Sequence, residues 1–291
     1  MPAVPPRVRL LLISLLGGVL VLAGLVYLLN RPSDQDEPAA VSTPAGTPTA
    51  GPPAAVIKAP PLHVGFDYQL GGPYPPPAGV RIVTRDRTAP AIKGLYNVCY
   101  INAFQTQPGE EDDWDPDLLL KDGSGKTIID EDWNEPLLDL RTAAKRERIA
   151  AKVNGWIDDC AANGYQAVEP DNYDSYTRSQ NLLSANQAKD LLTLLATHAH
   201  SRNLAIGQKN AADLAVDRKA VGLDFAVAEE CGEYGECAAY ADAFGNNVLV
   251  IEYTDAGLRK ACDAFGNKLS IVRRDLDVTT SGDPKYVRRT C

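Results

Sequence analysis

Tyr165-Gln166-Ala167-Val168-Glu169-Pro170-Asp171-Asn172 is a short apolar run that closes on carboxylates, and its flanks decide the fold. Upstream, Ile149, Val153, Trp156, Ile157 and Cys160 recur at helical spacing, and Gly164 supplies a left-handed stop. Downstream, Ser184 stands as the N-cap of a helix reaching Arg202, with Leu191, Leu192, Leu194 and Leu195 as its apolar stripe. Helix, strand and helix in succession call for a parallel sheet, because parallel neighbours must be joined by a crossover.

The alternation extends in both directions. Strands are expected near residues 62–69, 80–84, 95–103, 165–170, 204–209, 225–230, 247–253 and 268–274. Eight strands in about 230 residues is the size of one α/β domain of the (β/α)8 TIM-barrel class, which we assign to residues 62–291. A doubly wound sheet fits the alternation as well. Against it, no Gly-x-Gly-x-x-Gly follows the first strand, where Gly71-Gly72-Pro73 opens a Pro-rich loop. Gly123-Ser124-Gly125-Lys126-Thr127 resembles the end of a P-loop, but Leu120 stands where that motif needs Gly, so it reads as a polar turn.

Ahead of the barrel, Leu10 to Leu29 carries no charge and is long enough to span a bilayer core of roughly 30 Å. It exceeds the usual h-region of a cleaved signal and ends in Tyr27-Leu28-Leu29-Asn30-Arg31 without a small-x-small site, which favours a signal anchor over a signal peptide for residues 1–30. Arg7 and Arg9 lie before the run and Asp34, Asp36 and Glu37 after it, so the rest of the chain is expected outside the membrane. Residues 31–61 hold eight Pro, seven Ala and no aromatic residue, the composition of a disordered tether. The six cysteines all follow it, as expected of disulfides on an exported chain. Sequence proximity favours Cys231 with Cys237 and Cys262 with Cys291, leaving Cys99 with Cys160.

Composition excludes other classes. With 291 residues and a net charge of −9, the chain lacks the positive surface that phosphate contacts need, so no nucleic-acid partner is expected. Three histidines (His63, His198, His200) and no Cys-x-x-Cys give no metal-site pattern, so neither a metal nor a cofactor is expected. Four of the 29 cations and three of the 38 acids precede residue 60, leaving −10 on the barrel, a field that would steer a cationic polymer toward it.

In a barrel the site lies where the strands' C-terminal ends meet. Those ends are polar: Asp67-Tyr68-Gln69, Tyr100 and Asn102, Glu169 with Asp171-Asn172, Lys209-Asn210, Glu229-Glu230, Glu252-Tyr253, and Arg273-Arg274-Asp275. A pair of carboxylates without a metal or nucleotide motif suits glycosidic bond cleavage, one acting as acid and the other as nucleophile or stabiliser. Asp171 and Glu229 are the candidates, and strand alternation puts Glu169 on the same face as Asp171. The segment 104–138 is too long for a connector and carries Trp114 and Trp133 among Glu110, Glu111, Asp112, Asp113, Asp115 and Asp117, exposed aromatics over acidic surroundings that suit an amine-bearing sugar polymer.

Tyr68-Gln69-Leu70, Cys99-Tyr100-Ile101-Asn102, Trp133 with Leu138-Asp139-Leu140-Arg141, Glu169-Pro170-Asp171-Asn172, Lys209-Asn210 and Glu229-Glu230-Cys231 occur in order along the domain. This set resembles glycoside hydrolase family 114, the endo-α-1,4-polygalactosaminidases. The resemblance implies a (β/α)8 barrel that cuts internal links of galactosamine or N-acetylgalactosamine polymers of microbial biofilms. It implies Asp171 as nucleophile or stabilising carboxylate and Glu229 as general acid/base. Sugar contacts are expected from Asp67, Tyr68, Tyr100, Asn102, Trp133, Glu169, Asn172, Lys209, Asn210, Glu230, Glu252 and Tyr253. Two alternatives stay open: a silent surface carbohydrate-binding module on the same barrel, and a hydrolase of another amino-sugar glycan. The expected molecule is a monomer, membrane-anchored or secreted.

Overall fold

The computed structural model describes residues 57–291; the expected anchor and most of the tether lie outside the described residues. The strands are β1 (Gly65–Gln69), β2 (Val80–Asp86), β3 (Tyr96–Asn102), β4 (Ile129–Asp130), β5 (Glu135–Pro136), β6 (Ala167–Asp171), β7 (Ala205–Lys209), β8 (Phe225–Glu229), β9 (Val248–Glu252), β10 (Ser270–Arg274) and β11 (Arg288–Arg289). The helices are α1 (Ala143–Ala162), α2 (Ala185–Ser201), α3 (Arg218–Val221), α4 (Cys231–Tyr234), α5 (Cys237–Phe244) and α6 (Asp255–Phe265).

Nine strands form one curled sheet in the order β1-β2-β3-β6-β7-β8-β9-β10-β11, parallel throughout except for β11; β4 and β5 make a separate hairpin. β10 comes back against β1. Side chains bridge that seam: Val64 N donates to Ser270 Oγ at 3.1 Å and Arg288 Nε to Asp67 Oδ1 at 3.1 Å. The fold is therefore TIM-barrel-like, and each of the eight expected strands is present within three residues at either end.

The helices are fewer than an ideal (β/α)8 barrel has. None follows β1, β2 or β10. The β1–β2 connection contains Pro73, Pro75, Pro76 and Pro77, and the β2–β3 connection contains Pro90; segments that short, with ring-locked backbone lacking N–H donors, cannot build a helix. Where helices form, their starts are capped. Thr142 accepts from Lys145 N before α1, and Ser184 and Gln187 form a reciprocal capping box before α2.

Alternation along the strands divides the interior in two. Phe66, Tyr68, Ile82, Val98, Phe225, Val227 and Ile251 fill the barrel, while Val168, Ile206, Ala226 and Val250 face the helices. Gly207 is required in the inner layer, since a Cβ there would stand 2.8 Å from the Phe225 ring. On the outside, α1 buries Ile149, Val153 and Ile157 and α2 buries Leu191, Leu192 and Leu195; Leu194, expected in that stripe, lies off the buried face and is exposed. The three disulfides pair as proximity favoured, Cys99–Cys160 tying β3 to α1 and Cys262–Cys291 tying the C-terminus to α6.

The docked chain begins ahead of residue 62. Tyr96 Oη donates to the Lys58 carbonyl at 2.6 Å and Asn247 Nδ2 to the Pro60 carbonyl at 3.2 Å. Among the described residues no helix is long and apolar enough to cross a membrane.

Candidate active site

The C-terminal ends of β1, β3, β6, β7, β8 and β9 open into a cavity of about 340 Å³, walled also by the β4–β5 hairpin and the tail residues Leu276, Asp277 and Val278. Its wall carries seven carboxylates (Asp130, Asp132, Glu135, Asp171, Asp174, Glu229, Asp277) against two cations, Arg178 and Lys209.

Lys209, the last residue of β7, is buried at the cavity floor because alternation turns it inward with Gly207. Its Nζ lies 3.2 Å from Glu169 Oε1, 3.1 Å from Asp171 Oδ1, 3.3 Å from Glu229 Oε2 and 3.1 Å from Tyr68 Oη. Burial opposes its charge, but the three carboxylates outweigh that and hold its pKa well above the usual lysine range.

Asp171 closes β6. Tyr100 Oη donates to its Oδ2 at 2.7 Å and the Asn172 backbone N–H to its Oδ1 at 2.7 Å. Burial raises its pKa, while Lys209 and these donors lower it; the net effect is downward, so the carboxylate is ionised. Glu229 closes β8. Tyr253 Oη donates to its Oε1 and Asn210 Nδ2 to its Oε2, the latter at 3.0 Å, while Glu229 N donates to Asn210 Oδ1 at 2.9 Å. Burial raises the pKa of Tyr68, Tyr100 and Tyr253 well above the usual phenol range, and neighbouring carboxylates add to it, so all three remain donors.

Asn172, Asn210 and Glu230 each follow one of these polar strand ends in left-handed backbone, with φ of 66°, 51° and 56°. Asn tolerates that region; for Glu it is uncommon, and such outliers gather where a site over-determines the chain.

The structure brings Tyr68, Tyr100, Trp133, Asp171, Asn172, Lys209, Asn210, Glu229 and Tyr253 to the cavity wall. The other expected sugar contacts lie elsewhere. Asp67 is consumed in the β1–β11 seam by Gln69, Tyr74 and Arg288. Glu252 is buried beneath α4, accepting from Gly232 N at 2.7 Å, and Gly257 leaves it room, since a Cβ there would stand 2.1 Å from Glu252 Oε2. Glu230 turns the chain before α4. Glu169 is buried behind Lys209, where Tyr68 Oη donates to it at 2.7 Å. Asn102 braces the wall by donating to Glu135 Oε2 at 2.9 Å.

The long segment after β3 splits in function. Trp133 is 55% exposed at the rim, whereas Trp114 is 4% exposed and packs edge-on against Trp156, so the expectation of two exposed aromatics holds for one. Sequence reading missed Asp130, Asp132 and Glu135 on the hairpin and Asp174 and Arg178 after β6. Burial first, with the like charge of Asp171 adding, pushes Glu135 up to about 7. His198 and His200 pair with Asp158 and Asp224 and face no common ligand. Cys231 and Cys237 lie beside Glu252 but are bonded to each other, which removes both thiolates as metal ligands.

Comparison with curated proteins finds no match. Among solved structures, the chain is similar to that of Aspergillus fumigatus Ega3 in complex with galactosamine, with 22% identity and TM-score 0.65 over 84% of this chain and 100% of that one. It is similar also to a variant of the glycoside hydrolase domain of PelA from Pseudomonas aeruginosa, with 13% identity and TM-score 0.51 over 77% of this chain and 96% of that one. These likenesses establish a shared fold. The family itself follows from the sequence profile of glycoside-hydrolase family GH114, which matches residues 46–291, and the chain belongs to that family as a glycosidase.

Proposed function

We propose that this protein is an endo-acting hydrolase of α-1,4-linked galactosamine or N-acetylgalactosamine polysaccharide. The observation that carries the reading is one buried ammonium shared by Asp171 and Glu229 at the floor of an acidic, open cavity. Galactosamine bound to the similar Ega3 supports the sugar class. An open cavity with Trp133 at its rim supports action inside a polymer.

Asp171 is the nucleophile. Ionised beside Lys209, it attacks the anomeric carbon while Glu229 protonates the departing glycosidic oxygen, giving a glycosyl ester on Asp171. Glu229, now a carboxylate, takes a proton from water, whose oxygen attacks the same carbon and releases the sugar and Asp171. Tyr100 and Tyr253 keep each carboxylate oriented. With Lys209 Nζ at 3.1 and 3.3 Å, the facing oxygens of Asp171 and Glu229 are at most about 6.4 Å apart. A carboxyl separation of about 5 to 5.5 Å would accompany this retaining route, and about 6.5 to 9.5 Å an inverting one.

Export to the cell exterior, with the N-terminal run as anchor, belongs to the same reading and is supported by three disulfides. The test is reducing-end release from acetylated and deacetylated α-1,4-galactosaminan, with chitin and chitosan fragments as controls. Release from galactosaminan alone supports the reading; silence on all four from folded protein sinks it.

A further inference from the structure

Glu135 is 8% exposed, lines the cavity, and has no role in the two-carboxylate chemistry. Two amides bracket one of its oxygens: Asn102 Nδ2 and Asn172 Nδ2 donate to Oε2 at 2.9 and 3.3 Å. Asn172 Nδ2 also donates to Asn102 Oδ1 at 2.9 Å, so the bracket is itself fixed. Oε1 receives no hydrogen bond from any described residue. The neighbouring acids Asp130 and Asp174 are taken by Arg178 at 2.7 and 3.0 Å, whereas Glu135 has no cation within salt-bridge distance among the described residues.

With Oε2 held by two amides, Oε1 is left on the cavity side as an acceptor open to a donor that enters with a ligand. Its position says which part of a sugar that is. Asn172 donates to Glu135 through its side chain and to Asp171 through its backbone N–H, so one residue holds both carboxylates on the same cavity wall. In a pyranose C2 is bonded to C1, and the group that reads the C2 substituent must therefore neighbour whatever attacks C1.

We propose that Glu135 is a specificity-determining residue whose Oε1 receives the ammonium at C2 of the sugar facing Asp171, selecting a free amine over a hydroxyl or an N-acetyl group. This rests on the glycosidase reading of the cavity. An ammonium offers the acceptor a charged donor, a hydroxyl a neutral one, and an acetamide a neutral donor with bulk attached. The hairpin β4–β5 thus sets which amino sugar enters, separately from the strand-borne acids that cut it.

The experiment is calorimetric binding of galactosamine, galactose and N-acetylgalactosamine to the full chain in mild detergent, for the wild type, Glu135→Gln and Glu135→Asp. Glutamine keeps an acceptor for the two amides and removes the charge. The expected result is a loss of about 10- to 100-fold for galactosamine in Glu135→Gln, with galactose changed by less than about 2-fold. Glu135→Asp, which retains the charge, keeps galactosamine ahead of galactose. Equal losses for both sugars, no loss for either, a wild type without preference for galactosamine, or loss of that preference in Glu135→Asp would each overturn the proposal. Because the readout is binding, a wild type that shows this pattern yet releases no reducing ends counts against the glycosidase reading and leaves the role of Glu135 standing.

Discussion

Asp171 and Glu229, on strands two places apart in the sheet, meet at a single ammonium, Lys209 Nζ standing 3.1 Å from one and 3.3 Å from the other. Each also has a tyrosine hydroxyl of its own, Tyr100 on Asp171 and Tyr253 on Glu229. Asp171→Asn and Glu229→Gln keep the shape of each side chain and remove its charge. Hydrolysis is expected to fall at least about a thousandfold in either, with circular dichroism and unfolding midpoint close to wild type. Near-wild-type turnover in both would remove the pair from the chemistry.

Lys209 supplies the positive charge that makes this floor tenable. Removing it in Lys209→Met leaves Glu169, Asp171 and Glu229 facing one another without compensation, a loss of about 3 to 5 kcal/mol by analogy with broken buried ion pairs. Its raised pKa means that its stabilising contribution is complete at neutral pH and fades only as the solution becomes strongly alkaline. The sharper readout is kinetic. Without Lys209 the Asp171 carboxyl loses the largest influence holding it down, so the acidic limb of the pH–rate profile is expected to move to higher pH. An unmoved limb in a folded variant contradicts this account.

Glu169 carries the opposite sign. Burial raises it, Lys209 pulls it back, and Asp171 raises it again, leaving it at about 7. A group raised in the folded state favours folding in its protonated form, so its contribution is whole below its unfolded pKa near 4.3 and is lost as pH rises through about 7. Glu169→Gln abolishes that titration. Denaturant midpoints of wild type and variant are expected to diverge in the variant's favour between pH 5 and pH 8; a constant difference across that range refutes the linkage.

How much of this was legible in the sequence follows from which residues obey a period. Asp171, Lys209 and Glu229 end apolar strands, and the strand rule delivers them to one mouth. Glu169 could be placed on the Asp171 face by alternation, but its position behind Lys209 depends on a side chain of β7. Asp67 and Glu252 look identical to the site acids in the string; β11 claims the first and the backbone of α4 the second, both through contacts distant in sequence. The hairpin acids had no signal at all, because β4 and β5 are two residues each and show no alternation to read. Asp130 and Glu135 pair across that hairpin, a register that depends on the whole excursion from Ala103 to Leu140.

Trp133 sits at the tip of that excursion, exposed at the cavity rim. An aromatic face there offers a stacking surface to a sugar ring and little to the core. Trp133→Ala is expected to raise KM for polymer about tenfold, with kcat and unfolding midpoint nearly unchanged. A large fall in stability would show instead that the ring packs against the fold.

The last 17 residues make a strap: the turn at Leu276-Asp277-Val278 walls the cavity, β11 edges the sheet, and Cys291 is bonded to Cys262 of α6. Gly71 N donates to the Val278 carbonyl at 3.2 Å, and a Cβ on Gly71 would stand 2.5 Å from that oxygen, so the strap lies tight against the β1 loop. The disulfide spans 29 residues, for which loop-closure entropy gives about 3 to 4 kcal/mol. Replacing both cysteines by serine is expected to lower the unfolding free energy by up to that amount, measured in urea. It should also raise KM more than it lowers kcat, because the strap borders the cavity while the acids rest on strands. A kcat defect with unchanged KM would mean that the strap positions the acids themselves.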